Sequence, residues 1–225
     1  MRLDGVRIET ADLEAVCARY AALLGVEATP LETGARRFQL GRGAIELVDG
    51  EPGRATVVFV RESSGDTWPV EPSGYHGLAV GVEAERTVAS PARRPDAAEA
   101  IDHVVVFTPN PTRAIELWRD RLGLRLAFDR EFPERKVRLM FFRSGGLTFE
   151  LACGLPAADD ADGADRFYGV SYRVPDLVAR RDALLAAGFD VSEIRPGNKA
   201  GTRVASVRSG TADVPTLLLE EARAR

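Results

Sequence analysis

Two stretches of this chain match each other without a gap, and this internal repeat limits what the chain can fold into. Residues 4–25 (DGVRIETADLEAVCARYAALLG) align with residues 102–123 (DHVVVFTPNPTRAIELWRDRLG), so that Gly25 falls on Gly123. Each copy reads as a β-strand, a polar cap and an amphipathic helix that a glycine ends. A repeated unit of this kind predicts a fold built from tandem modules.

Short apolar runs separated by turn residues follow each copy, and they read as three further strands. Residues 168–189 begin a third copy, in which Leu177 and Leu184 continue the helical spacing and Gly188 ends it. A fourth copy is partial, since residues 74–82 (GYHGLAVGV) read as a first strand and no helix follows. The predicted fold class is therefore α+β, with tandem β-α-β-β-β modules.

A linker separates the predicted modules into two groups. The segment after residue 82 is rich in Pro, Ala and charged residues, a composition that is typical of linkers. We therefore expect a truncated N-terminal half at residues 1–90, a linker at 91–100 and a complete paired-module domain at 101–225. The sequence leaves open whether the truncated half packs within one chain or is completed by homodimerisation.

Composition argues against several functional classes. The 30 basic and 34 acidic residues are mixed along the chain, with a formal net charge of -4, so that no basic stripe is available for nucleic acid. No apolar run approaches the roughly 18 residues of a membrane span, and no signal peptide is recognisable. Cys17 and Cys153 make no disulfide framework. We expect a cytoplasmic protein that contacts neither nucleic acid nor membrane.

Two polar residues interrupt apolar strands and need partners. His103 lies in IDHVVVF, and Glu150 lies between Phe149 and Leu151 in LTFELA. An unpaired buried polar group costs about 1–3 kcal/mol. Each residue is therefore either a functional group or a hydrogen-bonded residue that orders the core.

The repeated modules, the first-strand histidine (IDHVVV) and the last-strand glutamate (LTFELA) resemble the vicinal oxygen chelate superfamily. This superfamily includes glyoxalase I, extradiol dioxygenases and bleomycin-resistance proteins. The resemblance implies that paired modules curl into half-barrel sheets and that first and last strands hold a divalent metal. Carried over, it makes His103 and Glu150 the metal ligands and catalytic residues, and Zn, Fe, Mn and Ni all accept such ligands.

The chain departs from this pattern at the partner positions of the third module. Gly169 stands where the family often has a second histidine. The last-strand position falls on Leu217 or, in a shifted register, on Glu220, which is thus a third candidate ligand. This chain thus offers fewer protein ligands than the glyoxalases have, which argues against the glyoxalase reaction. The missing second histidine argues against extradiol cleavage.

The N-terminal half departs from the pattern further. Gly5 takes the place of His103 and Glu46 that of Glu150, and we expect Glu46 to pair with an arginine or with solvent at a sheet edge. The partial module offers Gly77 or, after a slip of one residue, His76. We favour Gly77, because a one-residue slip reverses the face of a strand.

Candidate substrate contacts lie near the missing ligand position. Tyr168 and Tyr172 flank Gly169 and are predicted to line a substrate pocket. Lys199 and Arg203 lie in RPGNKAGTR, which reads either as a hairpin turn or as a lid that attracts an anionic substrate.

Two functional hypotheses follow, and both involve a small organic molecule as partner. In the first, the chain is a metal-dependent lyase, isomerase or dioxygenase in which a metal on His103 and Glu150 acts as a Lewis acid. In the second, it is a metal-free binding or sequestering protein of the bleomycin-resistance type. The sequence does not decide whether the protein is an enzyme.

Overall fold

Three β-α-β-β-β modules follow one another in the computed structural model, which describes residues 1–61, 72–86, 91–157 and 162–222. The first module consists of β1 (Arg2–Thr10), α1 (Leu13–Leu24), β2 (Thr29–Pro30), β3 (Arg36–Gln39) and β4 (Ala44–Asp49). After it come β5 (Ala55–Arg61), a 3₁₀ turn (Pro72–Tyr75) and β6 (Val80–Ala84).

The second and third modules repeat the same order, which confirms the predicted α+β class. The second contains β7 (Ala100–Phe107), α2 (Pro111–Ile115, continued as a π-helical segment over Glu116–Arg121), β8 (Arg125–Phe132), a 3₁₀ turn (Pro133–Arg135), β9 (Val137–Ser144) and β10 (Leu147–Gly154). The third contains β11 (Arg166–Arg173), α3 (Leu177–Ala186), β12 (Arg195–Pro196), β13 (Thr202–Val207) and β14 (Thr216–Glu221). Within the described ranges, no helix is long and apolar enough to cross a membrane.

The helices begin and end where the sequence places their signals. The side chains of Asp12, Asn110 and Asp176 each accept a hydrogen bond from a backbone N–H three residues later, at 2.9–3.0 Å. These caps satisfy N–H groups that have no partner within the helix. Gly25 ends α1 in the left-handed conformation, with φ at 66°.

The predicted first strand of the partial module is wrong in its start. β6 begins only at Val80, because His76 and Gly77 adopt left-handed backbone angles, with φ at 56° and 86°. A strand cannot continue through two such residues. Neither His76 nor Gly77 therefore occupies the first-strand ligand position. Strand β5, which pairs with β6 in parallel, was not among the strands predicted from the sequence.

One compact unit comprises Met1–Asp4, Thr56–Arg86 and His103–Tyr168. Its strands β8, β9, β10 and β7 are neighbours in that order, with β10 antiparallel to β9 and parallel to β7. The core is aromatic: Trp118 is fully buried and its ring centroid lies 4.5 Å from that of Phe149. This packing covers one face of the sheet.

The other compact unit comprises Gly5–Ala55, Thr87–Asp102 and Gly169–Arg225. It contains the strand orders β2-β3-β4-β1 and β12-β13-β14-β11. The buried Tyr20 hydroxyl donates to the Thr211 carbonyl at 2.9 Å. The division of the chain at residues 91–100 into a truncated half and a complete domain stays a prediction.

In every module the first strand lies parallel to the last strand, in one shared register. Gly5 lies opposite Ala44 and His103 opposite Thr148. In the third module Val170 lies opposite Thr216, which places Gly169 at the same position as Gly5 and His103.

The two glycines at this position are required by close backbone approach. A Cβ atom on Gly169 would lie 2.3 Å from the Pro215 carbonyl oxygen, and one on Gly5 would lie 1.8 Å from the Ala44 carbonyl oxygen. Both distances are far shorter than a carbon–oxygen contact allows. The first and third modules therefore have no room for a first-strand histidine.

Gly169→Ala should destabilise the protein, because the new methyl group must displace the backbone at Pro215. The expected loss in the free energy of unfolding is about 1–3 kcal/mol, as for an overpacked core. Urea unfolding followed by circular dichroism measures it. Gly154→Ala is the matched control, since its Cβ would meet nothing within 4 Å. Equal midpoints for the two variants would contradict this explanation.

Candidate functional site

One face of the sheet formed by β7, β8, β9 and β10 is left partly exposed. Along β7, Val104 and Val106 are fully buried, whereas His103, Val105 and Phe107 are not. Because paired residues on neighbouring strands share a face, the register collects one set of side chains there. This set, the open face, consists of His103, Val105, Phe107, Phe128, Arg130, Leu139, Phe141, Arg143, Thr148 and Glu150, together with Arg125.

The structure brings His103 and Glu150 together on the open face. His103 Nε2 lies 3.8 Å from Glu150 Oε2, and the two side chains are 19% and 14% exposed. Glu150 lies opposite Val105, so His103 is its diagonal neighbour on β7. The distance is too long for a direct hydrogen bond.

The pair fits two positions in the coordination sphere of a divalent metal. Bonds of about 2.0–2.2 Å to imidazole nitrogen and carboxylate oxygen sum to more than the observed separation, so that one ion can contact both atoms. In the part of the chain that the structure describes, no group of three or more His, Cys, Asp or Glu side chains could hold a metal. The remaining positions would belong to water or to the ligand.

In the first module, two arginines bind the glutamate that is equivalent to Glu150. Glu46 takes the place of Glu150, and its carboxylate accepts from Arg7 Nη2 at 2.7 Å and from Arg37 Nη1 at 2.8 Å. Glu46 and Arg37 are both buried. Burial alone would raise the pKa of Glu46, but the hydrogen bonds from Arg7 and Arg37 hold this pKa below its ordinary value. The expected arginine partner is confirmed, and these guanidinium groups supply the cation that Glu46 needs. The expected position at a sheet edge is wrong, because β4 lies between β3 and β1.

In the third module, Leu217 corresponds to Glu150 by register. Leu217 lies opposite Ser171, two residues after Gly169, just as Glu150 lies opposite Val105. An apolar side chain at this position cannot bind metal.

Glu220 is bound within its own unit. Its Oε2 atom accepts from Arg203 Nη2 at 2.6 Å and from the backbone N–H of Leu177 at 3.1 Å. These contacts account for both Glu220 and Arg203 in structural terms. The assignments of Glu220 as a metal ligand and of Arg203 as a substrate contact stay predictions that these contacts do not support.

The other predicted pocket residues have different surroundings. Tyr168 is 53% exposed and its ring lies 6.3 Å from that of Phe107, beside the open face. Tyr172 is fully buried, and burial raises the pKa of its hydroxyl well above the ordinary value. Lys199 pairs with Glu221. Their roles as substrate contacts stay predictions, and of the three it is Tyr168 whose ring lies near a residue of the open face, Phe107.

Two functional candidates escaped the sequence analysis. Arg143 Nη1 lies 2.5 Å from Thr148 Oγ1, and Thr148 lies directly opposite His103. The signal was present in RLMFFRSGGLTFEL, where a period of two places Arg143 with Phe141 and Thr148 with Glu150. The ring of Phe141 also stacks on that of Phe128, with centroids 4.9 Å apart.

Comparison with known proteins supports the fold over the whole chain. Residues 102–205 match the model of the glyoxalase/bleomycin resistance protein/dioxygenase superfamily. A triple mutant of 4-hydroxymandelate synthase from Streptomyces coelicolor superposes with a TM-score of 0.68 and 13% identity, over 100% of this chain and 93% of that chain. A halotolerant catechol dioxygenase gives a TM-score of 0.69 and 11% identity, over 97% and 86% of the two chains.

Smaller proteins match about half of the chain. Methylmalonyl-CoA epimerase from Mycobacterium tuberculosis gives a TM-score of 0.46 and 20% identity, over 56% of this chain and 90% of that chain. Comparison with curated proteins gives no sequence match. At these identities the structural similarities concern the fold alone, and the two with TM-scores of 0.68 and 0.69 agree with the predicted glyoxalase-like architecture.

Glu46→Gln should destabilise the fold and make the free energy of unfolding less dependent on pH in the acidic range. The pKa of Glu46 is lower in the folded protein than in the unfolded chain, so its stabilising contribution is complete above about pH 4.3 and is lost as the pH falls through the folded pKa. At neutral pH the variant should lose about 3–5 kcal/mol, because Arg37 is left buried without its carboxylate. Urea unfolding between about pH 3 and pH 7, a range that includes the titration of carboxylates, measures both effects.

Glu131→Gln serves as the control, since Glu131 is an exposed residue of β8. The same pH dependence in Glu46→Gln as in the unmodified protein would show that the arginine pair does not set the pKa of Glu46.

Proposed function

We propose that the open face binds a small oxygen-bearing organic molecule beside a metal held by His103 and Glu150, and the match of residues 102–205 to the model of the glyoxalase/bleomycin resistance protein/dioxygenase superfamily supports this proposal. The observation that carries this proposal is the 3.8 Å separation of His103 Nε2 and Glu150 Oε2. A divalent ion such as Zn, Fe, Mn or Ni would supply Lewis-acid polarisation of a ligand oxygen.

The apolar residues around Glu150 favour an interaction between its carboxylate and a bound cation. Val105 and Phe141 lie opposite Glu150 on its two neighbouring strands, so that apolar side chains flank the carboxylate. Apolar neighbours exclude water and strengthen the interaction of the carboxylate with a bound cation. His103 takes part in its neutral form, since a lone pair on Nε2 is needed to contact metal or to accept a proton.

A second function is metal-free binding, with His103 and Glu150 engaged in proton transfer or in hydrogen bonds to the ligand. It is favoured by the equivalent positions in the other modules, where Gly5, Gly169 and Leu217 offer no side-chain ligand. Two protein ligands are fewer than the three of a typical catalytic zinc site. Metal affinity separates the two functions.

Titration of Mn²⁺ and Zn²⁺ into chelator-treated protein tests the metal-dependent function. We expect one ion per chain, with an affinity that falls at least about tenfold in His103→Gln and in Glu150→Gln, since each variant removes one of two protein ligands. Isothermal titration calorimetry gives both stoichiometry and affinity.

Two variants control for histidine and glutamate content. His76→Gln removes the other histidine, which lies outside the open face, and Glu131→Gln removes an exposed carboxylate of β8. Equal affinity in all four variants, or no binding to the unmodified protein, would reject the metal-dependent function and leave the metal-free one.

A further inference from the structure

Two arginines lie directly opposite each other on the open face. Arg125 and Arg143 form a cross-strand pair between β8 and β9, and both are exposed. Like charges in this arrangement destabilise a sheet. Among the described residues neither arginine contacts a carboxylate, and the contact that Arg143 makes is with the hydroxyl of Thr148. The pair is therefore suited to a negatively charged group from outside the chain.

Another arginine on the same strand pair, Arg138, does have a carboxylate partner. Arg138 binds Asp129 through two hydrogen bonds of 2.8 Å. Arg138 lies an odd number of residues from Arg143, so it belongs to the opposite face of β9. The chain as a whole is acidic, with a formal net charge of -4. The positive charge is thus a local property of the open face.

Arg143 is held close to the His103–Glu150 pair. Its guanidinium group contacts Thr148, which lies on β10 opposite His103. Adjacent strands are about 4.8 Å apart, so the guanidinium group lies roughly one strand spacing from β7. A ligand that reaches His103 can also reach Arg143.

An aromatic surface lies beside the two arginines. Phe141 lies between Glu150 and Phe128 in one cross-strand row, and its ring stacks on that of Phe128. Phe141 and Arg143 are two residues apart on β9, or about 7 Å along the strand. This spacing lets an aromatic ring lie against Phe141 while its carboxylate reaches the flexible Arg143 side chain.

We propose that the ligand of the open face is a small aromatic carboxylate. Its ring lies against Phe141 and Phe128, its carboxylate lies between Arg143 and Arg125, and its oxygen substituent points to His103 and Glu150. The inference rests on the proposed function, since it names the chemical class of the molecule that this face binds.

Benzoate and benzamide are matched probes, because they share ring and shape and differ in charge. In chelator-treated protein, followed by NMR shift changes, we expect benzoate to bind with a dissociation constant on the order of 1 mM, as its few atoms allow, and about tenfold more tightly than benzamide. The preference should vanish in Arg143→Gln and weaken in Arg125→Gln. Arg208→Gln is the control, since Arg208 is an exposed arginine of the other compact unit.

The metal-free condition makes the result independent of whether His103 and Glu150 hold a metal. Equal binding of both probes, no saturable binding of either at about ten times that concentration, or a preference that survives Arg143→Gln would overturn the carboxylate inference. A metal site with no preference for benzoate overturns this inference alone. A preference for benzoate without a metal site overturns only the metal-dependent function.

Discussion

The parallel pairing of first and last strands decides which side chains fit at the first-strand position of each module. The pairing has one register in all three modules, so that Gly5, His103 and Gly169 occupy equivalent positions beside the last strand of their modules. Where the backbones approach closely, as at Gly5 and Gly169, no side chain fits. Only the second module leaves room there for a side chain, and His103 occupies it. Backbone packing thus decides which of these three modules can carry a side chain at this position.

The same register gives three different outcomes at the last-strand position. In the second module Glu150 lies near His103 on a partly exposed face. In the first module Glu46 is buried and held by two arginines, an arrangement that satisfies a charge which would otherwise be costly inside a protein. In the third module Leu217 carries no charge. The glutamate is therefore bound by guanidinium groups in the first module and lies near a histidine in the second.

Local signals made much of the fold predictable. Caps such as Asp12, glycine helix ends such as Gly25, and the gapless repeat gave the modules and the positions of His103 and Glu150, because these features depend on neighbours in sequence. The left-handed turn at His76 was not predictable, since a histidine seldom adopts this conformation. The pairing of Arg125 with Arg143 depends on a hairpin whose register shifts after Leu126, and hydrophobic periodicity does not reveal such a shift.

The most direct test of the central claim is an ¹H–¹⁵N spectrum of the imidazole side chains during Zn²⁺ addition. The chain has two histidines, so His76 provides an internal reference for His103. If His103 and Glu150 form the ligand-binding pair, the Nε2 resonance of His103 should move on metal addition while both nitrogens of His76 stay in place. Resonances of His103 that do not move, or that move together with those of His76, would contradict the account.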